Sequence, residues 1–416
     1  KSLPVPGDGD LQRGEYVAPR NEVEEQLCRI WQEVLKVDRV GIHDNFFDLG
    51  GHSLLATRLV GLVRAHFETE LSLRELFESP TILGLSECLS QISKNALLPS
   101  IPVADRSEGL PLSYAQQRLW FIDQLEGGSV QYNIPGSFIL EGRLKRRAFK
   151  RALKALIERH EVLRTTFIER DGVTYQEVLE DFDLPFVAVD LSGLSQSDRR
   201  DEVERLARAD ASSLFDLSAD LMLRVHLLKL SSVEHVVLFN MHHIASDGWS
   251  MSILVSEFGA LYDAYGQGEE NPLPGLEVQY GDYAVWQRGW LQGDILEGQL
   301  SYWRDRLSDL PVVHSLPLDK PRPVHQRFDG RVHHQNIEGV LGEQVQRFCR
   351  SSDVTLFMFL QTVFSVLLGR YSGSDDIVIG SPIAGRVHQD VEGLIGFFVN
   401  TLVLRSDLSG NPSFSD

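Results

Sequence analysis

Cysteine is scarce in this chain: three among 416 residues, Cys28, Cys88 and Cys349, far apart in sequence. An odd number at such spacing builds neither a disulfide framework nor a zinc site, and it favours a reducing, cytoplasmic setting. Basic residues are in deficit, because 40 Lys and Arg face 59 Asp and Glu, for a formal charge of −19. A surface that acidic repels polyanions, so no nucleic-acid partner is expected. Long apolar runs are missing as well. The longest uncharged apolar stretch, 354–369, is too short to span a bilayer comfortably and reads as a buried core helix, so no membrane partner is expected either. The opening KSLPVPGDGD lacks the apolar centre of a signal peptide. What remains is ordinary for a globular chain, 43% hydrophobic and 24% charged, in a length that accommodates two or three domains.

Residues 1–19 are rich in Pro, Gly and Asp and read as a linker. In 20–92, Val23, Leu27, Ile30, Trp31, Val34 and Leu35 recur at three- and four-residue spacing. Leu55, Leu59, Leu62, Val63 and Phe67 mark a second helix over 53–67, with shorter helical pieces at 74–77 and 82–92. The stretch 93–109 has two prolines and no amphipathic period, which predicts an interdomain linker. Beyond it, helices are expected at 147–159, 251–265 and 353–371, and strands at 233–241, 377–380 and 398–404. Together they make a large α/β region.

Ser53 follows Gly50 and Gly51 and stands where the second helix begins. Such a serine serves either as a helix cap or as an attachment point, since a helix N-terminus offers free amides and a positive dipole end to a phosphodiester. A second segment, MHHIASDGWS, lies between an expected strand and an expected helix and carries His242, His243, Asp247 and Gly248. A neutral imidazole can accept a proton or hydrogen bond from an attacking amine. Asp247 can orient an imidazole or pair with a distant arginine, and Gly248 lets backbone approach a ligand. No Cys, Glu or further His lies nearby at ligand spacing, so no metal is expected. His333-His334 has no Asp-Gly after it and reads as surface.

The run DNFFDLGGHSLLATRL closely resembles the phosphopantetheine attachment motif of peptidyl carrier proteins in nonribosomal peptide synthetases. HHIASDGWS matches the HHxxxDG signature of condensation domains, and SYAQQRLW at 113–120, RHEVLRTTF at 159–167, YGDYAVW at 280–286 and IGFFVNTL at 395–402 resemble flanking motifs in family order. The resemblance implies a small all-α four-helix carrier bundle at 20–92. It also implies an α/β chloramphenicol-acetyltransferase-like condensation domain of two lobes, 110–272 and 273–416, the second shorter than in the family. Residues 1–19 would then be the linker from an upstream adenylation domain.

Ser53 would bear 4′-phosphopantetheine, added by a phosphopantetheinyl transferase, and hold an aminoacyl or peptidyl thioester. The amine of an aminoacyl group on a downstream acceptor carrier would attack it. In that reading His243 lies at the reaction centre, as general base or by positioning the amine. His242 and Asp247 are structural, Gly248 presents a backbone N–H, and Arg164 is the expected partner of Asp247. An epimerisation-type domain and a catalytically silent carrier-docking module are the alternatives. Intact His242, His243 and Asp247 argue against the second.

Overall fold

The computed structural model describes residues 16–415 except 52, 68, 70, 72–74, 77–78, 92–97, 108, 325–329, 331 and 353. The expected helical piece at 74–77 therefore lies largely outside the described residues. So does most of the 1–19 linker. Helix α1, Glu22–Leu35, is capped by Asn21, whose side chain accepts from the Glu24 amide, and it ends where Lys36 turns left-handed at φ 58°. With α2, Ser53–Phe67, and α3, Ile82–Gln91, it encloses a core of Leu27, Trp31, Phe46, Leu59, Val63 and Leu85.

The chain divides into two compact units, and these helices belong to the first. The rest of the first unit is built on a four-stranded sheet of β2 (Asn133–Glu141), β7 (Glu234–His242), β6 (Leu223–Lys229) and β5 (Phe186–Asp190), in that order. A smaller antiparallel sheet joins β1 (Leu110–Pro111), β4 (Val173–Val178) and β3 (Thr165–Arg170). β5 and β6 run parallel, joined by the crossover helix α6, Gln196–Ala211; the other neighbours run antiparallel. Helices α5, Arg146–Arg159, and α7, Gly248–Gln267, fill one face with Phe149, Leu153, Leu254 and Phe258, while Val203 and Leu206 of α6 cover the other. Covered on both faces, β7 is buried along nearly its whole length, with an unbroken apolar centre at 236–239. Helices α4, Tyr114–Glu126, and α8, Tyr280–Trp290, complete this unit.

The second unit holds α9 (Gly293–Arg306), α10 (Val340–Ser351), α11 (Leu356–Ser372) and the antiparallel pair β8 (Asp376–Ile383) and β9 (Asn400–Asp407).

Three expectations need correction. The lobe boundary falls after Trp290 rather than at 272/273, because Tyr280, Tyr283 and Trp286 are buried in the first unit's core. Residues 384–399 also return to that core through Ile395, Phe397 and Phe398. The stretch 98–109 is not a free spacer: Ile101 is buried, Pro99 O accepts from Trp286 Nε1, and Arg106 is paired with Asp282 and Glu161. Finally, α11 is no buried core helix. Leu356, Phe357, Leu360, Val363, Phe364 and Leu367 are exposed, while the helix packs through other residues on α10, the β8–β9 pair and Phe414. His333 and His334 are exposed, as expected of surface residues.

Candidate active site and carrier loop

In the loop before α2, Gly50 has φ +95°, a conformation that other residues rarely adopt. A Cβ on Gly51 would run into the ring of Phe46, which is fully buried in a T-shaped contact with Trp31. This turn delivers Ser53 to the first position of α2; its side chain, like His52, lies outside the described residues. No acidic side chain stands in the first turn of α2. The free amides and positive dipole end there are suited to a phosphodiester, so the residues present fit the phosphopantetheine group.

The two histidines follow directly on β7 and have different surroundings. His242 is buried against Tyr132 and Phe215, and its Nδ1 accepts the Ile244 amide at 3.1 Å. Burial pushes its pKa down to about 4, so it stays neutral and committed to the loop. His243 donates its backbone N–H to Tyr132 O at 2.8 Å, and its ring meets Phe397 edge-on with centroids 4.9 Å apart. Its Nδ1 is buried without a hydrogen-bond partner among the described residues. An imidazole nitrogen left unpaired at this depth is uncommon in a folded protein and asks for a partner that the described residues do not supply.

Asp247 caps α7. Its Oδ1 accepts from the Ser250 amide at 2.9 Å and from Arg386 at 3.2 Å, and its Oδ2 accepts from the Phe398 amide at 3.1 Å. Both side chains of the ion pair are buried. The partner of Asp247 is therefore Arg386, not Arg164. Arg164 turns the other way and donates to Leu179 O and Glu158 O, on the wall of a cleft of about 480 Å³. Gly248 opens α7; a Cβ there would meet nothing within 4 Å, and its amide has no partner among the described residues. Protein packing does not explain this glycine, whereas a free N–H at a helix start suits an approaching ligand.

The resembling segments converge on this loop. Ser113 and Gln116 cap α4 reciprocally; Gln116 Nε2 donates to Ile244 O, and Ser113 Oγ meets Tyr280 Oη at 2.8 Å. Tyr280 donates in turn to Phe397 O at 2.7 Å, and a Cβ on Gly396 would run into the Tyr280 ring. The sequence reading missed Arg386. The signal available to it was a single arginine, after Gly385, in a segment otherwise apolar around Ile383, Ala384 and Val387.

The carrier helix touches the same returning segment. Arg64 donates to Val387 O at 2.7 Å, and a Cβ on Gly61 would lie 2.9 Å from Glu392 Oε1. Burial raises the Glu392 carboxyl to about 7, against the opposing pull of Arg58 and Arg386, with Glu33 adding to the rise. A carboxyl raised on folding stabilises the fold below its unfolded pKa, and that contribution disappears as pH climbs through about 7. Glu392→Gln should therefore raise stability at pH 8 by on the order of 2 kcal/mol and change little at pH 4.5. Thermal melts at the two pH values check this. A Gln variant that melts lower than wild type at pH 8 contradicts it.

Residues 25–89 match the family described as phosphopantetheine attachment site, and 106–416 match the condensation domain family. One linear gramicidin synthase polypeptide of Brevibacillus parabrevis is 46% identical over 417 residues, covering 100% of this chain and 8% of that protein. Malpibaldin synthetase of Mortierella alpina is 44% identical over 416 residues, covering 99% of this chain and again 8% of the relative. The chain thus spans a small part of the curated relatives it matches. Among solved structures, the X-domain from teicoplanin biosynthesis aligns with TM-score 0.69 and 28% identity, over 76% of this chain and 70% of that one. The first condensation domain of the CDA synthetase, at 20% identity and TM-score 0.61, shares the fold over 74% of this chain and 73% of its own. Motifs, site geometry and family matches agree that this chain belongs to the nonribosomal peptide synthetases, as a phosphopantetheine carrier domain followed by a condensation domain.

Proposed function

We propose that this chain forms an amide bond between a donor acyl group held at Ser53 and the amine of an aminoacyl group on an acceptor carrier. The phosphopantetheine arm supplies the thiol that carries the donor as an activated thioester. The observation that carries the reading is the difference between the histidines: His242 Nδ1 is taken by the loop, whereas His243 Nδ1 is buried with no partner among the described residues. A group so placed can accept a proton or hydrogen bond from the attacking amine, while Asp247 and Arg386 fix the loop that presents it. An upstream adenylation domain would select the donor, a phosphopantetheinyl transferase would modify Ser53, and a downstream carrier would bring the amine. The three free cysteines suit a cytoplasmic setting, and no single helix among the described residues is long and apolar enough to cross a membrane.

Incubation with coenzyme A and a phosphopantetheinyl transferase should add one arm per chain by mass spectrometry. Ser53→Ala should abolish the addition and leave the carrier folded, because Ser53 stands at the first position of α2, where alanine costs about 1 kcal/mol at most. Labelling that persists in this variant contradicts the assignment. Product formed between two loaded carriers then separates an enzyme from a module that only docks carriers.

A further inference from the structure

Segment 394–398 has no regular secondary structure, yet its backbone is held at nearly every residue. The Phe398 amide goes to Asp247 Oδ2, the Gly396 amide to Ser250 Oγ at 3.0 Å, and the Phe397 carbonyl to Tyr280 Oη. The Ile395 amide goes to the ring of His160, with Nδ1 as acceptor at 3.3 Å. Asp247 and Ser250 belong to the histidine loop and the helix it leads into. His160 comes from elsewhere in the fold, at the end of α5, and is itself almost completely buried. On its far side Nε2 lies 2.7 Å from Glu257 Oε2 of α7, a carboxylate whose other oxygen takes Arg159 Nε at 3.0 Å.

These neighbours dictate one tautomer. Nδ1 must keep its lone pair for the Ile395 amide, so Nε2 carries the proton and donates it to Glu257. A second proton would face an N–H, and burial opposes it: desolvation lowers the His160 pKa, against the pull of Glu257 and with Arg159 and Arg386 adding to the fall. The ring thus links a rigid helix to the residue two places before Phe397, whose ring lies against His243.

We infer that His160 is a positioning residue for amide formation, holding segment 394–398 so that Phe397 sets the orientation of the His243 imidazole. The inference rests on the reading of His243 above and adds to it a residue in the segment that resembles the second family motif.

Two substitutions divide the functions of the ring. His160→Asn places an oxygen where Nδ1 was, keeping an acceptor for Ile395 but losing Glu257. His160→Gln places an N–H donor where Nε2 was, keeping Glu257 but leaving the Ile395 amide without its acceptor. In a synthetase module that contains this chain, the Gln variant should lower kcat for amide formation about 10-fold or more, since small misplacements near reacting atoms are costly. Its KM for the acceptor carrier should stay unchanged, and hydrogen exchange across 394–398 should speed up. The Asn variant should keep kcat within about threefold and retain slow exchange, a rescue that bulk packing alone would not produce.

Equal losses in the two variants, or faster exchange in the Gln variant with kcat intact, overturn the inference. Should the Gln variant fail to fold, the Asn variant decides: lost turnover or lost protection in a folded Asn protein overturns it. A parallel His243→Ala arm keeps the two ideas apart. If His243→Ala is inactive and the Gln variant is fully active, only the positioning role falls. If His243→Ala retains full activity, the reading beneath it falls first.

Discussion

Replacing His243 with alanine should reduce amide formation between two loaded carriers by about 10²–10⁴-fold if the imidazole takes the proton of the attacking amine. The side chain can be removed cleanly. The His243 amide keeps its bond to Tyr132 O, His242 keeps the Ile244 amide, and Asp247 keeps Arg386. What disappears is the ring against Phe397 and a nitrogen buried without a partner among the described residues. Loading of Ser53 should be unaffected, because the carrier has its own core, separate from the one around this loop. The assay is product formation in a complete synthetase module, followed by mass spectrometry in single-turnover conditions. A drop well below 10²-fold assigns His243 to orienting the amine, with tethering of both reactants supplying most of the acceleration. Unchanged product formation removes the histidine from the chemistry.

Asp247→Ala should destabilise the condensation domain by roughly 3–5 kcal/mol, because it leaves a buried guanidinium uncompensated. Arg386 would retain only uncharged acceptors, Val391 O at 2.5 Å, Leu394 O at 2.8 Å and Ser250 Oγ at 3.1 Å. The Phe398 amide and the cap of α7 would lose their acceptors in the same step. Denaturant unfolding of Asp247→Ala, Arg386→Met and the double variant forms a cycle. A strong coupling is expected, with the aspartate change costing much less once the arginine is gone. Arg164→Ala should show no coupling to Asp247, since its guanidinium serves Leu179 O and Glu158 O. Additive losses for Asp247 and Arg386 would refute the pair.

The features legible in the sequence are those whose cause is local. A glycine pair before an apolar helical period marks the start of α2, and the dipeptide His242-His243 with Asp247-Gly248 marks a strand end and a capped helix. Apolar content alone also places β7, because a strand covered on both faces has no polar alternation to hide it. The errors are long-range. Arg386 is 139 residues from Asp247, and nothing near either residue indicates the other. Arg164 shares a motif segment with His160, but the local turn at 161–164 points it toward Leu179. The apolar content of α11 predicts burial correctly only where something covers the helix. A domain cut at 272 fails because a linear boundary cannot describe a chain that returns to its first core at 384–399.

That return has a consequence for synthesis on the ribosome. Asp247 emerges 139 residues before Arg386, a delay of about 7–28 s at 5–20 residues per second. Throughout that interval the nascent histidine loop carries a carboxylate with no cation, and α8 presents Tyr280 with no Gly396 to pack on. The first unit cannot close behind its own translation front; it waits for a strip of chain, 384–399, encoded after residues 291–383 of the second unit. Chaperone demand and sensitivity to translational pausing should therefore be concentrated while the stretch from Asp247 to Val399 is being made.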